Sequence, residues 1–319
     1  MMDAMFHTPS LEGVAALLHT KAAMGAYLVT LEGTYQNPRK AEPRMVFTQA
    51  RRLSGSLPFV GGGEFAFTFP VFSQTGITVT ICAADVYVTS FNAQATQLPV
   101  IHIMGDSTVS DQIAGYPYFP AGSYCGWGQM LPFFLKDVAV NNHAIGGRHT
   151  ESFREEGRWA RLSAQIKEDD FVMMQFGHND GKLPHLSPQT GYRANLLRYV
   201  EEIKELGARP VIVSPISRNA WTDDTFDHSL RLYAEVSSDV ADQTGTVFVD
   251  LHKSSAKWMM KAGQKDARQF FYPNDATHTN DYGGFLAARF IANSCPFFTN
   301  FVKQTLPPEK VFTNFPQNA

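Results

Sequence analysis

The chain of 319 residues is 44% hydrophobic and 18% charged, long enough for one large or two unequal folded units and without the polar excess of a disordered protein. Its 27 Lys and Arg residues are scattered among 30 Asp and Glu, and the net charge of −3 excludes the basic face that a nucleic-acid backbone requires. No apolar run reaches the roughly 18 residues of a membrane span, and three widely spaced cysteines, Cys82, Cys125 and Cys295, suit buried reduced thiols better than a disulfide framework.

At the N-terminus Asp3 and Glu12 are acidic, and the apolar stretch "VAALL" is soon interrupted by His19 and Lys21. That pattern is too short and too acidic for a signal peptide, so a cytoplasmic protein is expected. From about Ala26 to Asn92 the sequence alternates with period two in "YLVTL", "MVFT", "EFAFTFPVF", "GITVTI" and "VYVTSF". These runs, punctuated by Pro43, Pro58 and the glycines Gly61 to Gly63, predict the short strands of a small all-β sandwich.

After Leu98 the rhythm becomes strand, helix, strand. Candidate strands are "VIHIM" (100–104), "VAVNNHA" (138–144), "FVMMQFG" (171–177), "PVIVSPI" (210–216) and "TVFVDL" (246–251). Near-continuous apolar strands separated by helical segments predict an α/β fold, a parallel sheet covered on both faces. The best helix signal is "YRANLLRYVEEIKELG", with Leu196, Val200, Ile203 and Leu206 in one stripe and Gly207 placed to stop it. The polar "NAQATQ" stretch sets the division near Thr96, giving a β-rich unit of residues 1–96 and an α/β unit of residues 97–319.

In an open parallel sheet, ligands bind beyond the carboxyl ends of the strands. Here those ends are unusually polar: Gly105, Asp106 and Ser107 after the first, Asn142 and then Gly146, Gly147 and Arg148 after the second, and Gly177, His178, Asn179 and Asp180 after the third. The last long segment contains "DATH", Asp275 to His278. A serine needs a base to become a nucleophile, and the base needs an orienting carboxylate. Asp275 and His278, three residues apart, can supply both to Ser107. Acyl transfer also needs N–H donors aimed at the developing oxyanion. The N–H of Ser107, that of a glycine in the second loop and the amide of Asn179 are three such donors. Each piece alone has an ordinary reading: Gly105 to Ser107 as a turn with a helix-capping serine, Asn179 as a turn former, the glycine pair as a tight bend.

Taken in order, the set resembles the SGNH (GDSL-like) hydrolase superfamily, and "GDSTVSDQ", "GWGQMLP", "NNHAIGGR", "QFGHND" and "DATHTN" are similar to its bacterial rhamnogalacturonan acetylesterase branch, some members of which carry an N-terminal β-domain. The resemblance spans roughly residues 99 to 298. It implies a three-layer α/β/α, flavodoxin-like catalytic domain, with Ser107 as nucleophile, Ser107, Gly147 and Asn179 as oxyanion donors, His278 as base and Asp275 as orienting acid. It implies no metal or organic cofactor. The second block departs from the family in having His149 after Arg148, which leaves Gly146 an alternative to Gly147.

The implied substrate is an acetylated, pectin-derived oligosaccharide, with Trp127, Arg148, His149 and Arg218 as its candidate contacts; Lys182, His185 and Trp221 are further rim candidates. Acetylated xylan-type sugars, simple short-chain esters, and a sugar-binding protein with a silent site are the alternatives. Cys125 reads as structural. A metal site built from His178, Asp180, His185, Asp275 and His278 has spacings that fit no standard ligand set.

Overall fold

The computed structural model describes residues 5–7, 16–37, 44–49, 52–57, 63–83, 85–112 and 124–303. Pro43, Pro58, Gly61, Gly62, Asp3 and Glu12 lie outside the described residues.

The N-terminal part is antiparallel β, as the period-two pattern requires. Strands β1 (Met5–His7), β2 (Ala16–Lys21), β3 (Gly25–Tyr35), β4 (Arg44–Thr48), β5 (Arg52–Leu57), β6 (Glu64–Ser73), β7 (Gly76–Cys82) and β8 (Val86–Ala95) form two sheets, ordered β1-β2-β7-β4-β5 and β6-β3-β8. Alternate residues interleave between them: Ile77, Val79 and Ile81 from one sheet meet Val29, Leu31, Phe69 and Val88 from the other. This is the sandwich arrangement, in which each strand buries every second side chain.

The second part is a five-stranded parallel sheet. Strands β9 (Val100–Gly105), β10 (Ala139–Asn142), β11 (Phe171–Gln175) and β12 (Arg209–Val213), a short hairpin β13 (Trp221–Thr222) and β14 (Thr225–Phe226), and β15 (Val247–Val249) follow in sequence. The sheet order is β10-β9-β11-β12-β15, every pairing parallel, and all five candidate strands are in it. Both faces are covered, so both parities of each strand are apolar. Ile101, Ile103, Met173 and Val211 face a cluster with α1 (Trp127–Met130), α6 (Leu251–Asp266) and α7 (Asp281–Ser294). Met104, Val172, Met174 and Ile212 face α3 (Arg158–Ser163), α4 (Arg193–Glu205) and α5 (Arg231–Thr244), with α2 (Ser152–Glu155) contributing Phe153.

The chain leaves β9 for β10 on one side and returns to β11 on the other. The crevice at that reversal lies beyond the carboxyl ends of β9 and β11, where an open α/β sheet receives ligands.

Helix α4 buries Leu196, Val200 and Ile203 as its stripe requires, but Tyr199 completes the face and Leu206 is 40% exposed. The helix ends at Glu205, one residue short of Leu206, because Gly207 takes φ +74° and Ala208 N–H bonds back to Ile203 O.

The two parts share a core. In β4, Val46 points into the sandwich while Met45 and Phe47 point the other way, joining Leu53 of β5 in one cluster with Met130, Phe133 and Phe134 of the α/β part. This strand is therefore buried on both sides. Phe47→Ala, at a fully buried position, is expected to cost about 3–5 kcal/mol and to lower a single shared melting transition, measured by calorimetry. Two separate transitions, with only the first displaced, would contradict a common core.

Candidate active site

The end of β9 is shaped by Gly105 and Asp106. A Cβ on Gly105 would stand 2.6 Å from Gln175 O and 2.7 Å from Val109 Cγ2, so only glycine lets the turn close against β11. Asp106 O accepts Val109 and Ser110 N–H at 3.2 and 3.1 Å. Its Oδ1 accepts Thr108 N–H at 2.9 Å and the Thr108 hydroxyl at 2.7 Å, a local carboxylate turn that leaves Ser107 at the apex. Thr108 Oγ1 in turn accepts Gln175 Nε2 at 2.6 Å, and Gln175 Oε1 accepts Trp127 Nε1 at 2.8 Å.

From the other side, Tyr272 N–H donates to His278 O and Asp275 N–H to Tyr272 O, both at 3.0 Å, folding the D-x-x-H segment into a compact loop. Asp275 Oδ1 accepts the N–H groups of Thr277 and His278 at 2.7 and 2.9 Å, and Oδ2 lies 2.8 Å from His278 Nδ1. Partial burial pushes the Asp275 carboxyl up, but these donors outweigh it and hold the group below its ordinary range. With Nδ1–H engaged by a carboxylate, Nε2 is the accepting nitrogen, and it lies 2.8 Å from Ser107 Oγ.

Two loops flank the serine. A Cβ on Gly146 would be 3.5 Å from Ser107 Cβ, and Gly147 takes φ +81°, a left-handed conformation that favours glycine. The Asn179 amide is oriented at both ends: Nδ2 donates to Arg148 O at 3.1 Å, and Oδ1 accepts Lys182 Nζ at 2.7 Å. Asp180 ties the two loops together, its Oδ1 accepting Thr150 N–H and Oγ1 at 3.0 and 2.6 Å and its Oδ2 accepting Gly177 N–H at 3.0 Å. Burial raises the Asp180 carboxyl despite those donors.

The structure thus brings Ser107, Asp275, His278, the Gly146–Gly147 loop and Asn179 to one crevice. Trp127 is a correction: it is fully buried and spends its only polar group on Gln175, so it supports the serine turn and cannot meet a sugar. Arg148 Nη1 donates to Gly146 O at 2.7 Å and its Nε to Glu156 at 3.0 Å, shaping the glycine loop. His149 Nδ1 accepts Ser152 N–H, and Arg218 Nη2 donates to His178 O at 3.1 Å. Burial and the nearby Arg218 charge lower the His178 imidazole to about 3, so it is neutral near pH 7. Lys182 holds Asn179, His185 pairs with Glu151, and Trp221 Nε1 donates to Asn219 Oδ1.

Cys125 is buried and its thiol is pushed well above the ordinary range, by desolvation first. Among the described residues no group of three or more His, Cys, Asp and Glu converges as a metal cluster would, and no helix is long and apolar enough to cross a membrane.

Sequence reasoning missed Tyr124 and Tyr272. Their rings stack at 3.8 Å, and Tyr124 meets His278 edge to face at 5.4 Å. Tyr124 is remote in sequence from the D-x-x-H loop and carries no motif; Tyr272, three residues before Asp275, was within reach of inspection.

Residues 103–283 match the model of the GDSL-like lipase/acylhydrolase family, more than half of the chain. The rhamnogalacturonan acetylesterase RhgT of Bacillus subtilis (strain 168) is 30% identical over 207 residues, 60% of this chain and 87% of that protein. A rhamnogalacturonan acetylesterase of Emericella nidulans is 29% identical over 211 residues, 59% and 81% of the two chains. The crystal structure of YxiM from Bacillus subtilis superposes with a TM-score of 0.56 at 21% identity, covering 92% of this chain and 83% of that one, so the likeness of fold includes the β-rich part. The chain belongs to the GDSL-like lipase/acylhydrolase family and is an ester hydrolase of the serine type.

Asp106 has a measurable pH signature. Burial lifts its carboxyl from 3.8 to about 6, against the Thr108 donors. The folded chain therefore holds a proton that the unfolded chain releases between these values. The group's stabilisation is complete below about pH 4 and is lost as pH rises through about 6. Asp106→Asn retains the acceptor for Thr108 and removes the charge. In urea unfolding the variant should gain stability relative to wild type on going from pH 4 to pH 8, by at most on the order of 3 kcal/mol; a difference independent of pH would contradict the assignment.

Proposed function

We propose that the enzyme removes O-acetyl groups from carbohydrate, and specifically from rhamnogalacturonan oligosaccharides, through an acetyl-enzyme on Ser107. The observation that carries this reading is the relay of Ser107 Oγ, His278 and Asp275, with 2.8 Å at each link, beside the glycine loop and the Asn179 amide. The substrate class rests on the names of relatives at 29–30% identity. In this mechanism Ser107 Oγ attacks the acetyl carbonyl carbon while its proton passes to His278 Nε2. The resulting imidazolium is stabilised by the Asp275 carboxylate. The carbonyl oxygen, now an anion, faces the N–H groups of Ser107 and Gly147 and the Asn179 amide. The carbon–oxygen bond to the sugar breaks as His278 returns the proton to the leaving alkoxide. Water, deprotonated by His278, then attacks the acetyl-enzyme and releases acetate.

The same reading assigns the sugar to the rim formed by Arg148, His149 and Arg218 together with the Tyr124–Tyr272 pair, and residues 97–319 to the hydrolase unit with 1–96 as its accessory. A cytoplasmic setting, where the substrate arrives as oligomers, agrees with three free cysteines. The test is acetate release from acetylated rhamnogalacturonan and xylo-oligosaccharides and from p-nitrophenyl acetate. Wild type should prefer the first, Ser107→Ala should fall to background, and Asn179→Ala should lose about 10²–10³ in turnover. Preference for xylo-oligosaccharides would move the substrate, and an inert wild type would favour a sugar-binding role.

A further inference from the structure

The β-rich part reaches the serine turn through one side chain. Arg52, on β5, is 9% exposed and places its whole guanidinium across the boundary. Nε donates to Asp111 Oδ2 at 2.7 Å, Nη1 to Val140 O at 3.0 Å and Nη2 to Asn142 O at 3.2 Å. Each of these acceptors sits at a mechanical junction of the candidate site.

Val140 and Asn142 belong to β10, an edge strand of the parallel sheet. The N–H groups of Ala139 and His143 point to β9, bonding Pro99 O and Ile103 O, so the alternate carbonyls at 140 and 142 point away from the sheet. A buried edge carbonyl needs a donor, and the fork of one guanidinium supplies both. Three residues past Asn142 the chain reaches Ile145, whose N–H bonds Gly105 O, and then Gly146 and Gly147.

Asp111 lies on the serine side. Its Oδ1 accepts Asn142 Nδ2 at 2.9 Å, and the same amide donates to Val109 O at 3.0 Å. The adjacent Gln112 donates from Nε2 to the carbonyl of Ser107 itself at 2.8 Å. Arg52 therefore holds both the segment that carries the serine and the strand that leads into the glycine loop.

We propose that Arg52 is a positioning residue, and that the β-rich part serves catalysis by setting, through Arg52 and Asp111, the distance between Ser107 and the N–H donors of the Gly146–Gly147 loop. This rests on the acyl-transfer reading of the site. A carboxylate and two carbonyls around a buried guanidinium compensate its desolvation only as a complete set. Removing the guanidinium frees the two segments to shift relative to each other, and small misplacements of reacting groups are costly.

The experiment uses the full chain and compares wild type, Arg52→Gln, Arg52→Lys, Asp111→Asn and the double variant Arg52→Gln/Asp111→Asn. Readouts are kcat and KM for p-nitrophenyl acetate, the rate of serine labelling by a fluorophosphonate, and melting temperature. Arg52→Gln should lose on the order of 10- to 100-fold in kcat and in labelling rate, with KM changed less than about twofold. Arg52→Lys, which keeps the charge but not the fork, should recover part of the loss, as should added guanidinium ion with Arg52→Gln. The double variant should be no worse than the poorer single one, because both act on one link. A wild type that resists the label, with Ser107→Ala as its control, sinks the acyl-transfer reading and this role with it. A labelled wild type and an Arg52→Gln that turns over and labels equally fast, with only its melting temperature lowered, sinks the positioning role alone. If Arg52→Gln does not fold, Arg52→Lys and Asp111→Asn decide the matter: full turnover in both overturns the proposal.

Discussion

The hydrogen bond from Ser107 to His278 joins residues 171 positions apart in the chain, and much of the α/β architecture is a device for holding its two ends together. A serine hydroxyl donates to an imidazole only within a few tenths of an ångström and a narrow range of angle. Neither end can meet that tolerance by itself. The serine end is locked by its own backbone turn, by Asp106 and by the Thr108–Gln175–Trp127 chain. The histidine end is locked by Asp275 and by a loop whose base is fastened through the bridges of Thr279 to Phe271 and Asn280 to Tyr124. Between them stands a sheet buried on both faces, which does not deform gradually.

Burial of charge is the recurring cost of that arrangement. Asp106 and Asp180 both lie inside the protein with carboxyls raised by desolvation, and both are answered by short-range donors, Asp106 from Thr108 in its own turn and Asp180 from Thr150 in the neighbouring loop. The consequence is positional. Asp106 closes the serine turn, while Asp180 draws the 147–150 and 177–180 loops toward each other and so brings the Asn179 amide alongside the glycine pair. The buried polar groups thus define where the Asn179 amide and the glycine loop stand, a use of polar interiors for specificity more than for stability.

The β-rich part is continuous with this framework. Met45, Phe47 and Leu53 share a core with α1 and the Phe133–Phe134 segment, and Arg52 completes the outer edge of β10. An edge strand is a liability if left open. Here the sandwich covers it, and the same covering contact reaches the residues that follow Ser107.

By itself the sequence determined the class of each region and which residues to look for at the candidate site. Apolar parity wrote the sandwich and the five parallel strands, because strand burial has a period of two and a doubly covered sheet has none. Ser107, Asp275, His278, the glycine pair and Asn179 were legible because polar residues end successive apolar strands in the order that the family resemblance requires, and because Asp275 and His278 are only three residues apart. What tertiary structure alone decided were contacts between residues with no sequence relation. Trp127 looked like a sugar platform and is a buried strut. Leu206 fitted the stripe of α4 but lies at its end, where Gly207 turns the chain away. Tyr124 stands beside His278 because a bridge to Asn280 brings it there. Arg52 carries no signal in the sequence, and only the fold surrounds it with Asp111 and two carbonyls. Periodicity reports how a side chain is oriented within its own element; which partner it meets depends on how the elements pack.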